Sequence, residues 1–85
     1  MSDTIFVSGF DKRRTDIEDV YNFFKSKYGP IKDIQHPKDP KTGRKQAFLF
    51  IEFEDAKSAE NAVSDTLCNL QGAKLIINYK IKKES

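Results

Sequence analysis

The chain has 85 residues, enough for one small domain with one modest hydrophobic core. Hydrophobic residues make up 38% of it and charged residues 33%, with a formal net charge of +2, which excludes disorder along the whole chain. Its single cysteine and single histidine exclude an internal disulfide and argue against a protein-only zinc site, and no apolar run is long enough to cross a membrane.

The first half of the chain predicts a strand, a helix and a second strand. Thr4 to Ser8 is short and rich in β-branched and aromatic residues, as strands are. Thr15 and Glu18 have the spacing of a capping box, so we expect a helix to start at Thr15. Apolar residues then recur at helical spacing until Gly29 ends the helix. Ile31 to His36 gives a weaker strand pattern.

The second half predicts a polar turn region, a strand, a helix and a last strand. Residues 36–45 are polar and contain two prolines and a glycine. Ala47 to Phe53 is the strongest strand pattern in the chain. Asp55 is suited to cap a second helix, and the last strand is expected from Lys74 to Lys82.

The predicted element order is therefore βαββαβ. This order is typical of a ferredoxin-like α+β fold, in which a four-stranded antiparallel sheet carries two helices on one face. We expect one domain over residues 1–85, with its core at about 4–82.

Alternation of side chains between the two faces of a strand divides residues 46–53 into two sets. The odd positions are all apolar and suit the core under the helices. The even positions mix two phenylalanines with two polar residues and suit a face that no helix covers. The odd set is Ala47, Leu49, Ile51 and Phe53, and the even set is Gln46, Phe48, Phe50 and Glu52. In the first strand, Phe6 joins the open face if Ile5 and Val7 enter the core.

Three phenylalanines on an open face have two interpretations. As a flat platform they stack on nucleic-acid bases, at about 1–3 kcal/mol for each base and without demanding a base sequence. Alternatively, a C-terminal tail or a partner protein covers them, or both faces of the sheet are buried. The polar neighbours and the element order favour the platform.

Two segments resemble the motifs of the RNA-recognition-motif family. Residues 5–10 (IFVSGF) are similar to the family's hexamer, and residues 46–53 (QAFLFIEF) are similar to its octamer, K/R-G-F/Y-G/A-F-V-x-F/Y. Phe48, Phe50 and Phe53 match the octamer, whereas Gln46 replaces its basic residue. The resemblance covers about residues 4–82.

The resemblance implies a single-stranded RNA-binding module in which Phe6, Phe48 and Phe50 stack on bases or sugars, without catalysis. Polar residues on the same face are expected to bond to base edges, and nearby cations to contact phosphates. The face residues are Ser8, Gln46, Glu52, Ile76 and Asn78, and the cations are Arg44, Lys45, Lys80 and Lys82. Single-stranded DNA stays open as a ligand, because stacking does not involve the 2′-hydroxyl.

Charge is distributed unevenly along the chain. Residues 36–46 carry four basic residues against one acidic, and residues 80–85 carry three against one. Residues 52–65 carry five acidic residues against one basic. Basic segments beside the sheet can supply the salt-dependent part of RNA affinity. The basic run at residues 12–14 either clamps RNA or is ordinary solvated surface, and the sequence leaves both open.

The alternative function is a protein-interaction module on the same fold, with a partner on the acidic helical face or on the sheet. One peptide-binding branch of the family has an Arg-x-Phe signature after the second helix, which residues 67–71 (LCNLQ) lack. The three stacking positions are all filled, which favours RNA.

No enzyme is predicted, since His36 has no nucleophile nearby in sequence and Cys68 suits a small buried apolar position. We expect no catalytic residue, metal, cofactor or membrane contact. We expect an intracellular monomer, in the nucleus rather than in the cytoplasm. Charged residues from Asp3 to Arg14 also predict that no secretory signal peptide is present.

Overall fold

The computed structural model describes residues 3–80, and its elements follow the predicted order with one additional hairpin. In chain order they are β1 (Thr4–Ser8), α1 (Ile17–Tyr28), β2 (Ile31–Gln35), β3 (Phe48–Phe53), α2 (Ala56–Ser64), β4 (Asn69–Leu70), β5 (Ala73–Lys74) and β6 (Ile76–Tyr79).

The four longer strands form one antiparallel sheet in the order β2-β3-β1-β6. In the central pair, Ile5 lies opposite Ile51 and Val7 lies opposite Leu49, and none of the four side chains is exposed. The two helices pack on this face of the sheet and on each other. The predicted ferredoxin-like α+β fold is confirmed.

The core lies between the sheet and the helices. Helix α1 contributes Val20 and Phe24, and α2 contributes Ala59 and Ala62, whose small side chains let the helix lie close to the strands. Cys68 is fully buried beside them, as predicted for a small apolar side chain. Neither helix within residues 3–80 has both the length and the apolar character needed to span a membrane.

A bulge explains why β2 has a weak strand pattern. Ile31 and Ile34 are three residues apart, so strict alternation would place them on opposite faces. The pairing with β3 shifts between Ile31 and Asp33, and both isoleucines then pack on the core. The same shift pairs Asp33 with Glu52 and Gln35 with Phe50 on the other face.

Helix α1 begins two residues later than predicted, and Thr15 is not its cap. The N-cap is Asp16, which makes no side-chain capping hydrogen bond. Thr15 is only 3% exposed, and its hydroxyl instead donates to the Gln71 side-chain oxygen at 3.0 Å. A long-range contact therefore replaces the capping box. At the second helix, Asp55 caps as predicted by accepting from the Lys57 amide.

The strand boundaries also differ from the prediction. Ala47 was expected in the core, but it is exposed and precedes β3. The last strand begins later than predicted because residues 69–74 form the β4–β5 hairpin, and positions 81–82 of the predicted strand lie outside the described residues. Gln71 and Gly72, at its two-residue turn, both have positive φ, which is the type I′ geometry. Tyr79 is 38% exposed in β6, which is an edge strand.

Candidate nucleic-acid interface

Three phenylalanine rings form a cluster on the sheet face opposite the helices. Phe6 lies directly across from Phe50 in the β1–β3 pair, and Ser8 lies across from Phe48. The ring centroids of Phe6 and Phe48 are 5.2 Å apart at an interplanar angle of 28°, and both are 5.7 Å from the Phe50 ring. All three rings are half-buried, so each supports the others and still offers surface to a ligand.

An open concavity of about 630 Å³ lies beside this cluster, toward β6. Phe6 and Phe50 line it together with Asn78, which is paired with Phe6 across β1–β6. The Lys80 ammonium lies 5.0 Å from the Phe50 ring centroid, a cation–π distance. Ile76, paired with Ser8, is 56% exposed on the same face.

The β2 side of the cluster carries three polar groups, two of which sequence reasoning missed. A small hollow next to Phe50 is lined by the predicted Glu52 and also by Asp33 and Gln35. Glu52 also lies 3.9 Å from the Lys32 ammonium. The bulge in β2 is the reason that Asp33 and Gln35 went unnoticed, because it breaks the alternation by which such residues are found.

The predicted cations fall into two places. Lys80 lies on the sheet, whereas Arg44 and Lys45 lie in the loop before β3, where they line a cleft with Lys12 and Arg13. Lys12 and Arg13 are about 30 residues away from Arg44 and Lys45 in the chain, and no sequence motif indicates that the two pairs lie close together. Lys82 lies outside the described residues.

Gln46 lies two residues before β3, so strand alternation does not fix its side chain as the prediction assumed. Its backbone amide donates to the Pro37 carbonyl at 3.0 Å, and its own carbonyl lies 2.8 Å from Nε2 of His36. The backbone of Gln46 therefore links the two ends of the β2–β3 loop, and the residue is half-buried beside the sheet.

Comparison with known proteins decides the family. The model of the RNA recognition motif family matches residues 5–75, which is most of the chain. The chain belongs to the RNA recognition motif family. The predicted resemblance is thus confirmed at the level of the family.

Two curated relatives of this RNA recognition motif chain have names that refer to splicing or to RNA binding. A probable arginine/serine-rich splicing factor 3 of Caenorhabditis elegans is 45% identical over 53 residues, which are 62% of this chain and 17% of that protein. Nuclear polyadenylated RNA-binding protein 4 of Saccharomyces cerevisiae is 36% identical over 59 residues, 69% of this chain and 11% of that protein. The chain thus spans less than a fifth of either relative.

Solved structures share the fold. The RNA-binding domain of Hrp1 in complex with RNA superposes with a TM-score of 0.81 at 30% identity, over 95% of this chain and 47% of that one. The Rna15 domain with bound RNA (GU) gives a TM-score of 0.78 at 26% identity, over 100% of this chain and 89% of that one. RNA recognition motif domains of this shape are thus known in RNA-bound form.

A polar cluster on the helical side of the domain supports the fold. The Tyr28 hydroxyl donates to Asp65 at 2.7 Å, and the Lys27 ammonium lies 3.0 Å from the same carboxylate. The hydrogen bond from Tyr28 lowers the pKa of Asp65, and burial raises the pKa of Tyr28. This cluster ties the end of α1 to the end of α2.

Two observations concern the metal-ligating side chains and the histidine in residues 3–80. No three His, Cys, Asp or Glu side chains in this part of the chain are grouped to hold a metal ion. Nε2 of His36 is taken up by the Gln46 carbonyl, and its ring packs edge-on against Phe10 at 5.5 Å.

Proposed function

We propose that the domain binds a short single-stranded RNA across the open face of its sheet, without catalysis. The observation that carries the proposal is the cluster of Phe6, Phe48 and Phe50, which stays half-exposed on a face without helices. Keeping three aromatic rings partly in water is unfavourable for a structural core but suits stacking on bases.

Each ring has a role that follows from its neighbours. Phe6 and Phe50 border the large concavity, so bases stack there, and Phe48 supports the sugars between them. Stacking on Phe50 requires Lys80 to leave the ring, and its ammonium then neutralises an adjacent phosphate. RNA binding therefore replaces the cation–π contact between Lys80 and Phe50 by a base stacked on Phe50 and an ion pair between Lys80 and a phosphate.

Base edges are read by polar groups on either side of the rings. Asn78 and Ser8 offer both donors and acceptors, whereas Asp33 and Glu52 only accept. The two carboxylates favour bases that present amino or ring N–H groups. Gln35 is paired with Phe50 and lines the same hollow as the two carboxylates, and its side chain can either donate or accept.

The names of the relatives support a nuclear RNA as the partner. One is a splicing factor and the other a nuclear polyadenylated RNA-binding protein. We extend this to the present chain as a proposal: it acts in the nucleus, as a monomeric RNA-binding domain.

Amide NMR tests the proposal directly. Random-sequence octamers of RNA and of DNA are titrated into the labelled protein at low salt. We expect shifts in β1 and β3 and at Asn78 and Lys80, with α1 and α2 unchanged. Shifts confined to the helices would refute the sheet as the binding face, and equal affinity for both polymers would show that the 2′-hydroxyl is not read.

The alternative, a basic protein partner on the acidic helical face, has weaker support. Three acidic residues of that face are engaged internally: Asp55 caps α2, Glu60 lies 3.9 Å from the Lys57 ammonium, and Asp65 accepts from Tyr28. A titration with a lysine-rich peptide distinguishes the two, because this alternative requires amide shifts in α2.

A further inference from the structure

Two loops place four cationic side chains around one cleft at an end of the sheet. The cleft has a volume of about 470 Å³ and is lined by Lys12 and Arg13 from the β1–α1 loop and by Arg44 and Lys45 from the β2–β3 loop. The four cations of the cleft have no ion-pair partner within 4.0 Å among the described residues.

The cleft adjoins the aromatic cluster. β1 ends at Ser8, which pairs with Phe48 at the start of β3, so the two loops leave the sheet side by side. Phe48 is thus the ring nearest the cleft. An RNA backbone that passes Phe48 in this direction meets the four cations next.

One side-chain contact joins the two loops at their base. Phe10, in the first loop, is 5% exposed and packs edge-on against His36 of the second loop. Within the second loop, Nε2 of His36 lies 2.8 Å from the Gln46 carbonyl. Gly9 permits the turn into the first loop: its φ is +91°, and a Cβ there would lie 2.5 Å from the Lys74 carbonyl oxygen. The bases of the two loops that carry the cleft residues are therefore packed together.

Each loop also has its own fixed shape. In the first, the Asp11 carbonyl accepts from the amides of Arg14 and Thr15, and its carboxylate accepts from the Arg13 amide at 3.0 Å. In the second, the Asp39 backbone amide donates a hydrogen bond to the Arg44 carbonyl at 2.8 Å. Fixed backbones reduce the ordering cost of binding a flexible polyanion.

We propose that this cleft is a second RNA site that holds about two phosphates of the chain as it continues beyond the three rings. The inference rests on the proposed function, since the sheet fixes where the RNA enters. It makes the binding footprint longer than the two or three bases that a sheet of this family stacks. Contacts in the cleft are to phosphates and so position the RNA without selecting a sequence.

The test compares two double variants of the full chain that remove equal charge. Lys12→Ala/Arg13→Ala removes half of the cleft. Arg14→Ala/Lys57→Ala is the control, because Arg14 already lies 3.8 Å from Asp11 and neither control residue lines the cleft. Fluorescence anisotropy measures affinity for a random-sequence RNA octamer from 50 to 200 mM salt.

We expect the cleft variant to bind the octamer more weakly than the control variant, with a salt slope reduced by about 1.4, or two phosphates at about 0.7 each. Between 50 and 200 mM salt the wild type should then lose roughly sevenfold more affinity than the cleft variant. Binding of a random trinucleotide, followed by NMR, should be the same for both variants.

Other outcomes overturn the inference, or separate it from the proposed function. If the cleft variant matches the control while Phe50→Ala weakens binding, the cleft is not an RNA site and the sheet proposal stands. If only the cleft variant weakens binding, the cleft binds RNA but stacking on the sheet is refuted, and the inference that the cleft continues a path from the rings fails with it. If a decaglutamate peptide binds the cleft and RNA affinity is unchanged, the cleft serves an acidic protein partner and the inference fails.

Discussion

Replacing Phe50 by alanine should weaken RNA binding while leaving the protein folded. Phe50 borders the large concavity, contacts both other rings and lies under the Lys80 ammonium. Loss of one stacked base costs about 1–3 kcal/mol, so we expect the Kd to rise roughly 5- to 140-fold.

The cost in folding stability follows from the contacts of the ring. Phe50 makes two aromatic pairs, each with centroids 5.7 Å apart, and such pairs contribute about 0.5–1.5 kcal/mol. The ring is only half-buried, so the free energy of unfolding should fall by no more than about 3 kcal/mol. A domain of 85 residues has a stability of roughly 4–13 kcal/mol, which leaves the variant folded.

Phe50→Leu is the matched control, because leucine keeps apolar bulk but has no flat π surface. Anisotropy with a random octamer gives the Kd of each variant, and urea denaturation gives its stability. Stacking predicts that both variants bind weakly and that leucine restores only stability. If Phe50→Leu binds as well as the wild type, simple apolar contact explains the binding and the stacking argument is wrong. If Phe50→Ala unfolds the protein with no change in Kd for the folded fraction, Phe50 is a structural residue.

Three further predictions concern the core, the acid limit of stability and the octamer motif. Phe53→Ala removes a fully buried ring and should cost about 3–5 kcal/mol in urea denaturation, with the Kd of the folded fraction unchanged. The pKa of Asp65 lies below its ordinary value of 3.8, so the ionised carboxylate stabilises the fold above that pH, and this stabilisation is lost as the pH falls through the lowered pKa. Asp65→Asn should therefore lower the Tm at pH 7 and make the fall of Tm below pH 4 shallower. An unchanged dependence of Tm on pH below 4 would contradict this. Gln46→Arg should tighten octamer binding and steepen the salt slope by about 0.7, since the backbone bonds of Gln46 leave its side chain free to be exchanged; an unchanged slope would show that RNA does not pass this position.

Alternation of side chains was sufficient to predict the two faces of the central strands. β1 and β3 are regular strands, in which successive side chains point to opposite faces of the sheet. The polarity of alternate residues along the sequence therefore indicates which face each side chain occupies. Ile5, Ile51 and Phe53 are fully buried as predicted, and Phe6 and Phe50 lie together on the other face. Which residues contact RNA remains a prediction.

Features that depend on contacts between distant residues could not be predicted. Thr15 has the local sequence of a helix cap, but its hydroxyl is bonded to Gln71, 56 residues away. Asp33 and Gln35 reach the open face only through a bulge, which local polarity does not reveal. The cleft likewise needs Phe10 to meet His36, and neither residue has a sequence signal that would pair it with the other.

The charges at the two ends of the open face suggest a direction for the bound RNA. The cationic cleft lies beyond Phe48, whereas Glu52, paired near Asp33, lies four residues further along β3, at a distance of about 13 Å. Phosphates are attracted to the cleft and to Lys80, whereas the carboxylates of Asp33 and Glu52 repel them. Carboxylates can only accept hydrogen bonds, which bases donate and phosphates do not. Base edges should therefore point toward Glu52, with the backbone passing the cleft at one end and Lys80 at the other. Sequence reading then depends on the carboxylates, and salt dependence on the cleft and Lys80, so substitutions in the two groups should alter different properties of one complex.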